Sequence, residues 1–270
     1  MLIRDDDLRL FEAQGTPALP PADRSGTADI MGARIWYASM GQGPAVVLLH
    51  GGMGNGNQWG FQVPALIAAG YRAIVIDSRG QGRSTRDGRP LGYAQMADDT
   101  LAVLDSLGVD RAAFVGWSDG AVTSMILADN RPERSDGVFF FACNVDASGT
   151  KPFVYTDVIG RCLNRHKQDF AALSPTPEAF DATFEAVGEM QRSQPNYTAA
   201  DLARLAVPFW SVIGEHDEFI TQEHAAYLAR TIPGASLHVL AGVSHFAPVQ
   251  RPEIFNAAML TFLANVMPVG

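Results

Sequence analysis

Cysteine is nearly absent. Cys143 and Cys162 are the only two in 270 residues, too few for a disulfide framework and without the spacing to histidine that a metal site needs. The six histidines form no His-x-x-x-His or similar cluster, so no metal and no organic cofactor is expected. Long apolar runs are missing too: no stretch approaches the ~18 uninterrupted apolar residues of a membrane span. The opening Met1-Leu2-Ile3-Arg4-Asp5-Asp6-Asp7 does not read as a secretory leader. Positive charge is in deficit, with 20 Lys and Arg against 29 Asp and Glu and a net charge of -9. That balance argues against the basic patches that nucleic acids and anionic membranes favour. These absences lead us to expect a cytoplasmic protein, monomeric or homodimeric, whose partner is a small molecule rather than a nucleic acid or a membrane.

What is present is a sizeable apolar share, 47% of the chain, enough for one large core. Strand-like and helix-like patterns alternate through much of the sequence, which predicts a mostly parallel sheet covered by helices on both faces. The first thirty residues are polar and carry Pro17, Pro20 and Pro21; they read as a segment that wraps the body. Arg34 to Ala38 and Ala45 to Leu49 look like paired strands around a Gly41-Gln42-Gly43-Pro44 turn. A helix near Gln58 to Ala69 and a strand at Ala73 to Ile76 follow. Tyr93 to Leu107 is amphipathic, with Gly108 as its C-terminal cap.

The most informative stretch is Gly116-Trp117-Ser118-Asp119-Gly120. It joins a strand-like Ala112-Ala113-Phe114-Val115 to a helical pattern over Ala121 to Asn130. A serine hydroxyl becomes a nucleophile when it is held clear of the backbone, beside a base and beside donors for an oxyanion. A sharp strand-to-helix turn does this, and it demands near-absent side chains two residues either way. Later in the chain, Gly214-Glu215-His216-Asp217 and Gly242-Val243-Ser244-His245-Phe246 each follow a strand-like segment, the end of the sheet where ligands gather in open α/β folds. Ser118, Asp217 and His245 are therefore candidate nucleophile, acid and base, in that order. Glu215, Glu218 and Asp146 are rivals for the acid, Asp146 foremost because it lies just beyond the strand Val138 to Ala142.

Four segments in this order resemble the α/β-hydrolase superfamily from about Thr27 to the C-terminus: Leu48-Leu49-His50-Gly51-Gly52, Asp77-Ser78-Arg79-Gly80-Gln81-Gly82-Arg83-Ser84, the elbow at Ser118, and the Asp217 and His245 loops. The resemblance implies an α/β-hydrolase fold with core residues 1–143 and 206–270, residues 1–26 being an N-terminal extension, and a helical cap over 144–205. It also implies an oxyanion hole formed by the backbone amides of Gly52 or Met53 and of Asp119. Asp119, Trp117 and Phe246 are candidate substrate contacts.

A serine at the elbow disfavours the dehalogenases and epoxide hydrolases of this superfamily, which use aspartate there. Met53 departs from the His-Gly-Gly-Pro-Gly of proline iminopeptidases. Ester hydrolysis is the leading expectation, with amide, lactone and carbon–carbon bond cleavage open, and a non-catalytic ligand-binding protein as the alternative of another class. The elbow is similar to that of the valacyclovir hydrolase group, which implies that Asp119 recognises a substrate amino group; the competing reading has it accept hydrogen bonds from backbone, Arg79 or Arg83. In the cap, Phe153, Tyr155, Phe170, Phe180, Phe184, Met190 and Tyr197 divide between a pocket and the cap's own core, with the core favoured. Arg161, Arg165, His166 and Lys167 read as a solvated basic face rather than an anion site. The Asp77 to Ser84 loop lacks the Lys-Ser/Thr of a P-loop and is assigned a structural task.

Overall fold

Fully buried strands need neighbours on both edges and cover on both faces, and the order in which this chain supplies them sets the architecture. The computed structural model describes residues 6–269; Met1 to Asp5 of the charged opening stretch, and Gly270, lie outside the described residues. Eight strands form one sheet: β1 (Arg24–Ile30), β2 (Ala33–Met40), β3 (Ala45–Leu49), β4 (Arg72–Ile76), β5 (Ala112–Trp117), β6 (Ser135–Phe141), β7 (Phe209–Gly214) and β8 (Ser236–Leu240). Their spatial order is β1-β2-β4-β3-β5-β6-β7-β8. From β4 onward every neighbouring pair is parallel, while β1 and β2 run antiparallel at one edge.

The expected hairpin of β2 and β3 does not form. β4 sits between them, antiparallel to β2 with Tyr37 opposite Ile76 and parallel to β3 with Leu48 opposite Val75. The reason is burial: every residue of β3 is buried, so β3 belongs inside a parallel sheet rather than at the end of a ribbon. The first thirty residues also do more than wrap. β1 pairs with β2 along its whole length, and α1 (Asp6–Gln14) buries Leu8 and Phe11 against the body.

Alternation along the central strands divides the core in two. In β3, Val47 and Leu49 face α3 (Tyr93–Ser106) and α4 (Asp119–Asn130), while Val46 and Leu48 face α2 (Gln62–Ala68) and the C-terminal α10 (Pro252–Val266), as a period of two requires. Each such side chain, wholly removed from water, contributes roughly 1.5–3 kcal/mol. α4 is buried from Asp119 through Ala128, which explains its unbroken Ala-Val-Thr-Ser-Met-Ile-Leu-Ala sequence. On the opposite face Phe255 packs edge-on against Phe139 and Phe141 at 5.4 and 5.2 Å.

Between β6 and β7 the alternation stops, and α5 (Asp157–Leu173), α6 (Phe180–Ser193) and α7 (Ala199–Leu202) follow. α5 buries Ile159, Cys162, His166 and Phe170, spaced three and four residues apart, a one-sided helix. Phe170 and Phe180 pack edge to face and Met190 is buried, whereas Phe153, Tyr155 and Phe184 are exposed. The supposed basic face is not one surface. His166 is buried, Arg161 pairs with Glu12, Arg165 with Asp169, and Lys167 lies over the Phe180 ring. α8 (Gln222–Thr231) and α9 (Ala247–Gln250) precede α10, and α1 packs on both α5 and α9.

Candidate active site

The end of β5 carries Ser118 at φ 53°, ψ −120°, a left-handed geometry that strains any residue with a side chain. The surrounding backbone enforces it. A side chain at Gly120 would put a carbon 2.0 Å from the Leu49 carbonyl oxygen, and one at Gly116 would lie 2.4 Å from Ala121 Cα. The Ser118 amide donates to the Phe141 carbonyl at 2.9 Å, and the Ser118 carbonyl accepts from Ala121 at 2.8 Å. Ser118 is partly exposed where its flanking residues are buried.

His245 and Asp217 meet from different loops: His245 Nδ1 lies 3.0 Å from Asp217 Oδ2. A carboxylate only accepts, so Nδ1 carries the proton and Nε2 is left free to take one. The other Asp217 oxygen accepts the Phe219 and Ile220 amides at 2.9 and 2.8 Å, fixing the carboxylate. Burial works against a charged His245, but the Asp217 charge and hydrogen bond, with Glu218 and Asp119 further out, outweigh it, and His245 stands above its usual pKa. Among the described residues no hydrogen bond joins Ser118 to His245. Such contacts commonly tighten only when substrate binds.

The rival acids are engaged elsewhere. Asp146 caps a turn through Ser148 N at 2.7 Å, Glu215 accepts the Gly242 amide at 2.8 Å, and Glu218 accepts the main-chain amide of His245 at 2.9 Å.

The loop after β3 faces the elbow. His50 is buried and neutral in role: its Nδ1 donates to Gly51 O at 2.7 Å and its Nε2 accepts from Ser78 N at 3.0 Å. Burial, opposed by the Asp77 charge, holds its pKa down. Met53 lies at φ 60°, a second strained non-glycine beside Ser118. The amides of Gly52, Met53 and Asp119 donate to no other backbone group among the described residues. Asp77 accepts from Gly56 N at 2.6 Å and from Arg83 N at 2.7 Å, so the Asp77 to Ser84 loop is tied to this wall.

Asp119 is buried, and among the described residues no lysine or arginine pairs with it. Its carboxylate accepts from Tyr93 Oη at 2.8 Å and from Gln191 Nε2 at 3.1 Å to each oxygen. Arg79 and Arg83 do not reach it, because Arg79 grips Asp99 at 2.8 Å and Arg83 grips Asp77 at 2.9 Å. Burial raises the Asp119 pKa, while the Tyr93 and Gln191 hydrogen bonds and the His245 charge pull it back. Gln191 and Val187 of α6 sit directly on Gly52: a side-chain carbon there would lie 2.7 Å from Gln191 Nε2 and 3.3 Å from Val187 Cγ1.

Of the candidate contacts, Trp117 and Phe246 flank the imidazole with ring centroids 6.2 and 5.7 Å from that of His245, and Phe219, which carries no motif, is nearer at 4.7 Å. Tyr93 and Gln191 also carry no motif; only the fold brings them to position 119.

Residues 46–258 match the alpha/beta hydrolase family. The chain belongs to that family. As a member of the alpha/beta hydrolase family it is 33% identical over 151 residues to the bifunctional epoxide hydrolase 2 of Sus scrofa, a match covering 50% of this chain and 27% of that protein. It thus spans only about a quarter of that relative's length. A 2-hydroxy-6-oxononadienedioate/2-hydroxy-6-oxononatrienedioate hydrolase of a Pseudomonas species is 28% identical over 260 residues, 83% of this chain and 90% of the other. Among solved structures, Est816, an N-acyl homoserine lactone degrading enzyme, superposes with TM-score 0.68 at 29% identity, covering 88% of this chain and 100% of the other. Among the described residues no group of three or more His, Cys, Asp and Glu could hold a metal ion, and no helix is long and apolar enough to cross a membrane.

Proposed function

We propose that this alpha/beta hydrolase cleaves carboxylic esters of small molecules through a serine acyl-enzyme. The observation that carries the reading is a strained Ser118 between two sterically obligatory glycines, next to Trp117, whose ring lies 6.2 Å from that of a His245 anchored through Nδ1 to Asp217. His245 Nε2 takes the Ser118 proton as Oγ attacks the carbonyl carbon. The amides of Gly52 or Met53 and of Asp119 hold the oxyanion, and the alcohol leaves with the proton from His245. Water then attacks the acyl-enzyme by the same route and releases the acid. Asp217 orients the ring and stabilises its charged form without being protonated.

Epoxide opening by a covalent carboxylate at the elbow does not suit Ser118, and the neighbouring Asp119 is held sideways by Tyr93 and Gln191. Lactone and carbon–carbon bond cleavage are the rivals that the relatives bring. In this proposal the helices over 144–205 act as a cap that must lift off Gly52 to admit substrate, and the protein works in the cytoplasm.

A second reading has one specific observation in its favour. A buried carboxylate with only neutral partners suits a substrate ammonium, as the elbow's likeness to the valacyclovir hydrolase group implies for Asp119. Alanyl or phenylalanyl esters would then be turned over faster than their des-amino counterparts; equal efficiency sinks this reading alone. The main test is hydrolysis of p-nitrophenyl esters from acetate to decanoate by wild type and Ser118→Ala, with fluorophosphonate labelling alongside. Ser118-dependent release supports ester hydrolysis. Labelling without release moves the reading to amides, lactones or carbon–carbon bonds, and neither signal leaves a ligand-binding protein.

A further inference from the structure

Glu218 makes no hydrogen bond to the imidazole ring, yet it is bound to the histidine. Its Oε2 accepts the His245 main-chain N–H at 2.9 Å, while the preceding Asp217 accepts the ring N–H at 3.0 Å. Two consecutive acidic residues thus hold one histidine at two points. The loop that carries them is stiff: Asp217 Oδ1 is filled by the Phe219 and Ile220 amides, and the Phe219 ring stands edge-on at 4.7 Å from the imidazole.

A neutral acceptor would tie the His245 amide equally well. A carboxylate is a costly way to do it, because burying a charge is unfavourable unless something compensates. Burial, helped by the Asp217 charge, pushes the Glu218 pKa up, and the His245 amide, the His245 charge and its own amide oppose it. The charged groups that face His245 are Asp217 and Glu218 from the loop after β7 and Asp119 from the start of α4. A cation also reaches this loop, since Lys151 Nζ donates to the Asp217 main-chain carbonyl at 2.5 Å.

We propose that Glu218 is a positioning residue for His245, fixing its main chain so that Nε2 meets Ser118 and lending a second negative charge to the imidazolium that forms during acyl transfer. The inference rests on the reading of His245 as the base.

The test is the second-order rate of Ser118 labelling by a fluorophosphonate between pH 5 and 9, which needs no knowledge of the natural substrate. In that reaction Ser118 Oγ bonds to phosphorus, fluoride leaves and the serine proton goes to His245. Glu218→Gln keeps an acceptor for the His245 amide and removes the charge; its acid limb is expected to move down by about half a pH unit. Glu218→Ala removes both, and a loss of about tenfold or more in the plateau rate is expected from a displaced imidazole, with Glu218→Gln recovering most of it. Superimposable pH profiles for wild type and Glu218→Gln, with Glu218→Ala within twofold, overturn the proposal. His245→Ala run alongside separates the two ideas: if it labels like wild type, the base assignment falls and Glu218's role with it. If His245→Ala is dead while both Glu218 variants match wild type, only the Glu218 proposal fails.

Discussion

The elbow at Ser118 and the helices over 144–205 solve opposite problems. At the elbow the backbone itself is the constraint: carbons added to Gly116 or Gly120 would meet main-chain atoms at 2.4 and 2.0 Å. In the insertion the constraint is side-chain deep. α6 buries only Thr183, Val187 and Met190, and a carbon added at its Gly188 would meet nothing nearer than the tip of Arg192 at 3.1 Å. The lesson is that the strained serine is fixed by parts that cannot yield, while the inserted helices are held by parts that can.

The largest test of that contrast is chemical. Ser118→Ala should lower hydrolysis by roughly 10³-fold or more while leaving urea unfolding nearly unchanged, since the removed hydroxyl has no partner in the backbone frame. Next comes Gly120→Ala, expected to cost at least about 4 kcal/mol in urea unfolding because the Leu49 carbonyl has nowhere to move. A protein as stable as wild type would break the comparison.

The third test concerns the seam between the two regions. His166 of α5 accepts a hydrogen bond from Gln58 Nε2 at 2.9 Å, and burial first, then the neighbouring His50 and Arg165, lowers its pKa to about 4 while Asp169 opposes. The unfolded chain takes up that proton near pH 6.5 and the folded chain only near 4, so stability is present above 6.5 and falls as pH drops through this window. By pH 5 the loss is about 2 kcal/mol. His166→Asn should flatten that part of the pH dependence of urea unfolding, and an unchanged slope would assign it elsewhere. The smallest effect is Gly188→Ala, which should stabilise by roughly 0.5–1 kcal/mol as a helix-interior glycine is replaced.

The same contrast explains what could be read in the sequence. Ser118, Asp217 and His245 stand at strand ends in loops marked by glycine, so the motifs announce the place as well as the residue. The amphipathic helix at Tyr93 and the C-terminal glycine after it are equally local; α3 ends where Gly108 takes φ 65°. The supposed β2–β3 hairpin failed because adjacency in sequence says nothing of a third strand arriving from residues 72–76. Nor could any local pattern link Gln191 to Asp119 across 72 residues, or show that Glu218 holds the amide of His245 rather than its ring. Residue type marked His166 as one of a basic group, but only packing shows it pressed edge to face on Phe11 at 6.3 Å.

One clasp has a consequence for how the molecule is made. Arg251 Nε holds Asp7 at 2.6 Å across 244 residues, and Tyr71 reaches the Met267 carbonyl across 196. Contacts this distant in sequence close late and slowly, since a long stretch of chain must be gathered before they return any free energy. The frame that holds Ser118, from β3, β5 and β6, is complete in the sequence by Phe141, well before the segment bearing His245. In the proposed mechanism the Ser118 hydroxyl meets its base only after that later segment has packed.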